Sequence, residues 1–547
     1  MRNFRTIIVL LLVSVTTCAA AQTSPVSFDQ TVDRVVARER KFVATMKGMQ
    51  PLAETYIQNL GQGKDREVEP VSDQYFLGRV FLNNDLREPL FKQEHAGFLH
   101  QLSTPFSSVF SEKFLPQGFA QMAILDADFQ KNNYRFSFVR REFLGEVRCI
   151  VIDVQPTDTA RKGLFTGRIW VEDRDFNIVR FNGTYSGSSK YKHYLHFDSW
   201  RFNLQADVWL PSYIYVEESG EQTGTSVSHD PYFKAQTRLW GYAPEQLKHN
   251  GELTQIEVDN AVDDGFVGKD NNPLKAQRMW QRMAEDNAVD HLQKIGLVAP
   301  AGDVDKVLQT VVNNLIIANK LEIEPEVRCR VLLTLPLESF TIGHTIVVSR
   351  GLVDALPDES SLAAILAHEL GHIVLGHGVD TRFAFSDRFF FADRDTFRRL
   401  DFERSAGDEK AADSKAIELL TNSTYKDKLS TAGLFLRALH DRSPVLTNLI
   451  RPHLGNRMAN GKSTRMAELL NSAPALEKQS LDQIAALPIG SRIKLDPWSN
   501  QITMMNTNPV APLSAGEKMP FEVSPFFPFL RYSQTDRKLI AENPGKP

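Results

Sequence analysis

Residues 361–377 read SLAAILAHELGHIVLGH. The apolar positions Leu362, Leu366, Leu370 and Ile373 recur at three- and four-residue steps, the period of a helix with one face against a core. His368 and His372 are four apart with Glu369 between them, the HExxH spacing. On a helix that spacing stacks both imidazoles on one face, where they can share a metal ion. At about 100° per residue, each histidine lies about 200° from the leucine two positions before it, so the pair is expected to point away from the core, toward a cleft. Asp358 is the expected cap and Gly378 the expected stop of a helix over residues 358–377.

A second pair raises the weight of the first. In DEKAADSKAIELL (408–420), Glu409 and Asp413 are also four apart on a predicted helix, Asp408–Leu420. Glu409 can supply a third ligand, and Asp413 can accept the free ring N–H of a ligand histidine, fixing its tautomer. Two histidines and one carboxylate leave the open position of a catalytic zinc site, so one Zn2+ per chain is expected. His377 is the rival third ligand, but on a straight helix it falls half a turn from the ligand face. It reads better as a residue behind the ligands or at the helix end. Such a site hydrolyses peptide bonds with a zinc-activated water, Glu369 acting as general base and then returning the proton to the leaving amine.

The two segments, with GHTIVVSRGLVDAL (343–356) before them, resemble the M48 zinc metallopeptidases, a gluzincin family with HExxH followed by ExxAD. The resemblance covers about residues 300–470. It implies a mainly helical zincin-type domain with a small sheet, zinc on His368, His372 and Glu409, and a histidine and an arginine steadying the tetrahedral intermediate. The candidates for those roles lie in RPHLGNRMANGKSTRMAELL (451–470): His453, with either Arg457 or Arg465; His440 is a weaker alternative. This chain departs from the family in two places. Leu454 follows His453 where a proline is usual, and Glu338-Ser339 stands where an Asn-Ala pair is common, before Phe340. An extended substrate is expected along an edge strand near Phe340–Val348, with Phe340 in reach of it. The Phe-rich stretch between the motifs, from Phe383 to Phe402, reads either as a lid or as rings buried in the core, with burial favoured.

Outward from this region the text changes. From about residue 70 to 250 apolar and polar residues alternate, as in Tyr134–Val139 and Val147–Asp153, and polar turns such as Asp173-Arg174-Asp175 punctuate the runs. Consecutive hairpins predict an antiparallel sheet with one covered face. The phrases FVRREFLGEVRCIVIDVQP (138–156), GRIWVEDRDFNIVRFNGT (167–184) and HFDSWR (196–201) resemble the periplasmic lipoprotein-sorting carriers. That likeness implies a curved sheet able to cup a lipid or lipoprotein, or one used only for docking. Residues 28–62 read as helical, 251–300 as a connector, and 476–547 as an extended C-terminal segment. The expected class is therefore α+β: a curved antiparallel β domain over 22–250, then a peptidase domain over 301–475.

Composition bounds the function. The chain has 547 residues with 42% hydrophobic and 24% charged residues, a soluble globular balance spread over about three domains. A net charge of −4 excludes a polybasic nucleic-acid binder. Arg2 and Arg5, the apolar run Thr6–Val15 and Ala19-Ala20-Ala21 form a signal peptide over 1–21, too short to span a membrane, which predicts a periplasmic or secreted protein. Cys18 as a lipidation site is the lesser alternative. Cys149 and Cys329 read as buried thiols rather than a disulfide. Two function classes follow: an exported zinc endopeptidase acting on envelope or secreted proteins, or a non-catalytic lipoprotein carrier or assembly chaperone built on the same folds.

Overall fold

In the computed structural model the alternating text becomes one antiparallel sheet. The structure describes residues 27–46, 48–62, 68–80, 88–89, 119, 122–125, 129–158, 164–185, 193–205, 208–220, 233–242, 273–377, 402–451, 454–456, 465–476, 493–495, 502–504, 523 and 530–533. The signal peptide, Cys18 and all the phenylalanines of the Phe-rich stretch except Phe402 lie outside them.

The strands are β1 (Leu52–Gln62), β2 (Val68–Arg79), β3 (Glu88–Pro89), β4 (Tyr134–Leu144), β5 (Val147–Pro156), β6 (Phe165–Glu172), β7 (Ile178–Tyr185), β8 (His193–Gln205), β9 (Val208–Gly220) and β10 (Phe233–Trp240). Their order is β3-β2-β1-β10-β9-β8-β7-β6-β5-β4, so β1 closes back on β10 and every other neighbour is consecutive. Both faces are covered, not one. Val147, Cys149, Val151, Trp170, Trp200 and Trp240 enter one core, while Ile150, Ile152, Val154, Phe181 and Phe197 enter another beneath helix α1 (Phe28–Met46). The alternation that suggested apolar against polar is here largely two different apolar sets, a pattern that buries each side of the pleat.

The helical reading of 28–62 holds only as far as Met46; Leu52–Gln62 is an inner strand paired with β2 and β10. Pro51 disfavours a helical residue at Gln50. Beyond it Thr55, Tyr56 and Ile57 favour a strand buried on both faces.

The aromatic face of the sheet shares its core with the second half of the chain. Helix α2 (Pro273–Lys294), in the expected connector, contributes Ala284, Ala288 and Leu292 to that core. Helix α3 (Asp303–Ala318) packs beside a three-stranded sheet of β11 (Arg328–Leu332), β12 (Ser339–Ile342) and β13 (Thr345–Ser349). The strand order is β11-β13-β12, parallel then antiparallel. Helices α4 (Arg350–Ala355), α5 (Glu359–Val374), α6 (Ala406–Thr421), α7 (Leu429–Arg442) and α8 (Ala467–Ser472) complete this region. The class is α+β, as expected.

The C-terminal segment holds the short hairpin β14 (Ile493–Leu495) and β15 (Ile502–Met504), and then straps the sheet. Val523 donates its N–H to Gln58, Glu146 donates to the carbonyl of Leu530, and Ser533 donates to Asn203. Cys149 and Cys329 are buried free thiols, and burial pushes the Cys329 thiol up to about 12. No helix among the described residues is long and apolar enough to cross a membrane.

Candidate metal centre

Helix α5 starts where its cap predicts: the Asp358 carboxylate accepts the Ser361 N–H at 2.8 Å. It stops earlier than expected. Leu375 ends the helix and Gly376 takes a positive φ of 68°, the left-handed conformation glycine adopts without strain, so Gly378 is not the stop. The apolar stripe faces a core as expected, with Leu362, Leu366 and Leu370 inside it and Ile373 packed against it, but the histidines are not exposed. The helix is buried on nearly every side, and His368, Glu369 and His372 are each 1% exposed. The ligand face is covered by α6.

That covering is set by two small residues. A Cβ placed on Gly371 would stand 2.9 Å from the carbonyl oxygen of Ala412. The two helices therefore approach closely at Gly371 and Ala412, and Glu409 and Asp413, on either side of Ala412 in sequence, reach the histidines. Gly371→Ala should speed the loss of zinc to a competing chelator. Helix propensity favours Ala by about 1 kcal/mol, but a backbone carbonyl cannot turn aside as a side chain can, so an overpacking cost of about 1–3 kcal/mol wins. An unchanged release rate would show the contact to be slack.

His368 Nε2 and His372 Nε2 are 3.1 Å apart; Glu409 Oε2 is 3.3 Å from the first and Oε1 is 3.2 Å from the second. Zinc bonds of about 2.0–2.1 Å at tetrahedral angles put ligand atoms about 3.3–3.4 Å apart, so this set fits a zinc ion with little movement. The three residues also form the cluster of potential metal ligands among the described residues. The outer nitrogens are held as a metal site needs. His368 Nδ1 faces Asp413 Oδ1 at 2.8 Å, so Nδ1 carries the proton and Nε2 keeps its lone pair. His372 Nδ1 faces His377 Nδ1 at 2.8 Å, and His377 Nε2 lies 3.6 Å from Asp408. His377 is thus behind a ligand: the chain leaves the helix before it and turns at Gly376, which a straight-helix projection could not show.

Charges at the site follow from these contacts. Burial alone would raise the Glu409 carboxyl, but Arg465 and the two imidazoles outweigh it and hold Glu409 well below the usual carboxylate range. Burial lowers His372. At His368 burial and Arg465 also oppose the proton, yet hydrogen bonds to Asp413 and Glu409 leave its pKa raised.

Of the two arginine candidates, Arg465 lies among the described residues and reaches the site. Its Nη1 donates to Glu369 Oε1 at 2.9 Å and to Ser339 Oγ at 3.1 Å, its Nη2 donates to the Asn456 carbonyl, and its Nε lies 3.3 Å from Glu409. His453 and Arg457 lie outside the described residues. Ser339 Oγ donates to Glu369 Oε1 at 2.7 Å. Sequence reading noted Ser339 only as a departure from the Asn-Ala pattern; no spacing marks it, because the contact depends on the β12–β13 register. Phe340, the neighbour in the pleat, stacks on Phe402 with centroids 4.9 Å apart. Of the expected edge strand near Phe340–Val348, only β12 is an edge; β13 lies between β11 and β12.

Residues 304–453 match the model of peptidase family M48, so the resemblance read from the two motifs holds over this segment and supports a metallopeptidase. No curated protein matches the chain. Among solved structures, a putative outer membrane lipoprotein-sorting protein domain from Vibrio parahaemolyticus is similar at 14% identity and a TM-score of 0.19, covering 38% of this chain and 90% of that one. A DUF1329 family protein from Desulfovibrio piger is similar at 12% identity and a TM-score of 0.20, covering 40% of this chain and 93% of that one. The Pseudomonas aeruginosa MucA/MucB complex is similar at 9% identity and a TM-score of 0.13, covering 38% of this chain and 92% of that one.

Proposed function

We propose that this chain is an exported zinc-dependent endopeptidase that hydrolyses peptide bonds of envelope or secreted proteins. The observation that carries the reading is the triangle of His368, His372 and Glu409 atoms at 3.1–3.3 Å, with Glu369 beside it on the same helix. The arginine-led apolar leader with its small-residue cleavage site supports export.

His368, His372 and Glu409 would hold the ion; Asp413 and His377 keep the two imidazoles in the ligating tautomer and orientation. A zinc ion held there would supply Lewis-acid polarisation of the scissile carbonyl and acidify the attacking water. Glu369 accepts the proton of the attacking water and passes it to the leaving amine. Both described bonds to this carboxylate fall on Oε1, from Ser339 and Arg465, so Oε2 is the proton-accepting oxygen. Arg465, fixed by Asn456 and Glu409, places a permanent positive charge beside the base and is, among the described residues, a donor placed to meet the developing oxyanion.

The purified protein should carry one zinc per chain and cleave casein, and a zinc chelator should abolish the cleavage. Cleavage untouched by the chelator rejects the zinc mechanism, and protein with neither zinc nor cleavage leaves a carrier or chaperone.

A further inference from the structure

The aromatic face of the N-terminal sheet carries two buried acids, Glu54 on β1 and Asp73 on β2, and both bind backbone of the second half of the chain. Glu54 Oε1 accepts the Leu335 N–H at 2.5 Å and the Tyr75 hydroxyl at 2.8 Å, while Oε2 accepts Arg350 Nη2 at 2.9 Å. Arg350 in turn donates to the Leu333 carbonyl at 3.0 Å. Asp73 accepts the N–H groups of Asn448 at 2.9 Å and Leu449 at 2.8 Å. The carbonyl of that same Leu449 accepts the Leu337 N–H at 2.8 Å. The irregular stretch 333–338, which has no ladder of its own, is thus held at Leu335 by one sheet acid and at Leu337 through the other. Its next residue is Ser339, the donor to Glu369.

An interface that only had to dock would not need charge. The Trp and Tyr side chains of this face already bury apolar area, and burying a carboxylate costs several kcal/mol unless hydrogen bonds compensate. Burial does push the Asp73 carboxyl up, against the bonds from Asn448 and Leu449 that pull it down. What the acids add is direction: each fixes a particular backbone N–H. We infer that Glu54 and Asp73 are positioning residues of the peptidase site, setting the 333–338 stretch so that Ser339 holds the Glu369 carboxylate with Oε2 free. The sheet is on this view a working part of the enzyme. The inference rests on the zinc-peptidase reading above.

The test is a double-mutant cycle on the full chain with Ser339→Ala and Asp73→Ala, read as kcat and KM separately, as zinc content, and as affinity for a peptide hydroxamate by calorimetry, which reports the Glu369 carboxylate without turnover. Each single variant should keep its zinc and its KM and lose roughly tenfold in kcat, the rate equivalent of one hydrogen bond to a charged group. Hydroxamate affinity should fall in parallel, Ser339→Thr should restore both, and the double variant should be no worse than Ser339→Ala alone. Should Asp73→Ala not fold, Asp73→Asn, which keeps the side-chain volume, replaces it in the cycle. A folded, zinc-loaded Asp73 variant with wild-type kcat and hydroxamate affinity overturns the inference, and so do losses that simply multiply in the double variant. Wild-type protein that binds neither zinc nor hydroxamate would reject the zinc-peptidase reading itself.

Discussion

Glu369→Gln should leave one zinc per chain and lower kcat by roughly 10²- to 10⁴-fold, the range a positioned general base contributes. The substitution separates metal binding from proton transfer because Glu369 is not among the three ligand residues. Glutamine has the same shape, and its amide oxygen can still accept from Ser339 Oγ and Arg465 Nη1, which now reach Oε1 at 2.7 and 2.9 Å. The amide nitrogen then occupies the Oε2 place, where it can donate but not accept a proton. Zinc content, unfolding temperature and KM for a peptide substrate should therefore stay close to wild type while turnover collapses. A variant that cleaves at the wild-type rate would remove Glu369 from the chemistry; one that loses zinc would mean the carboxylate helps hold the metal. The charge left behind sharpens the distinction. Arg465 would keep Glu409, 3.3 Å from its Nε, as a charged partner, so the guanidinium is not stranded when Glu369 becomes neutral.

The candidate metal ligands were legible in the sequence because helical spacing is itself geometry. His368 with His372, and Glu409 with Asp413, each fix one face of one helix, and the only unknown was whether those faces meet. The structure brings them together, through Gly371 against Ala412, a contact of two small residues with no signature of its own. Elsewhere spacing does not decide. Arg465 could be named only beside Arg457, since no spacing rule ranks two arginines eight residues apart. Ser339 could not be named as a contact, because a serine in a four-residue strand acquires its partner from the register of a hairpin and the approach of a helix. Strands β4 to β9 were legible from their alternation and turns. Leu52–Gln62 was not, since Leu, Ala, Glu and Gln suit a helix locally and the burial between β2 and β10 overrides them. The covered second face was missed for a related reason: period two shows that faces differ, not that one of them is wet.

Arg201→Met should destabilise the N-terminal sheet region by about 3–5 kcal/mol, the cost of leaving a buried charge without its partner. Glu39 sits on the buried face of α1 with Val32, Val35, Val36 and Met46, a mostly apolar setting for a carboxylate. It is tolerated because Arg201, on β8, meets it with two bonds of 2.7 Å, Nη1 to Oε2 and Nη2 to Oε1. The side chains are 1% and 2% exposed, so water cannot replace either partner. Arg201 also donates to the Ile178 carbonyl and lies over the Phe42 ring at 3.9 Å, tying the helix to two strands. Methionine fills much of the arginine stem's volume, so most of the loss should come from the stranded carboxylate and not from a cavity. The double variant Glu39→Leu with Arg201→Met discriminates between these causes. Replacing both partners of a buried pair by apolar side chains is often close to neutral, so it should recover most of the stability lost in Arg201→Met. Urea unfolding of the three proteins makes the measurement. If the double variant is as unstable as the single one, the arginine acts by packing and not by charge, and if Arg201→Met loses less than about 1 kcal/mol, the value of an exposed pair, the ion pair is not what fastens α1 to the sheet.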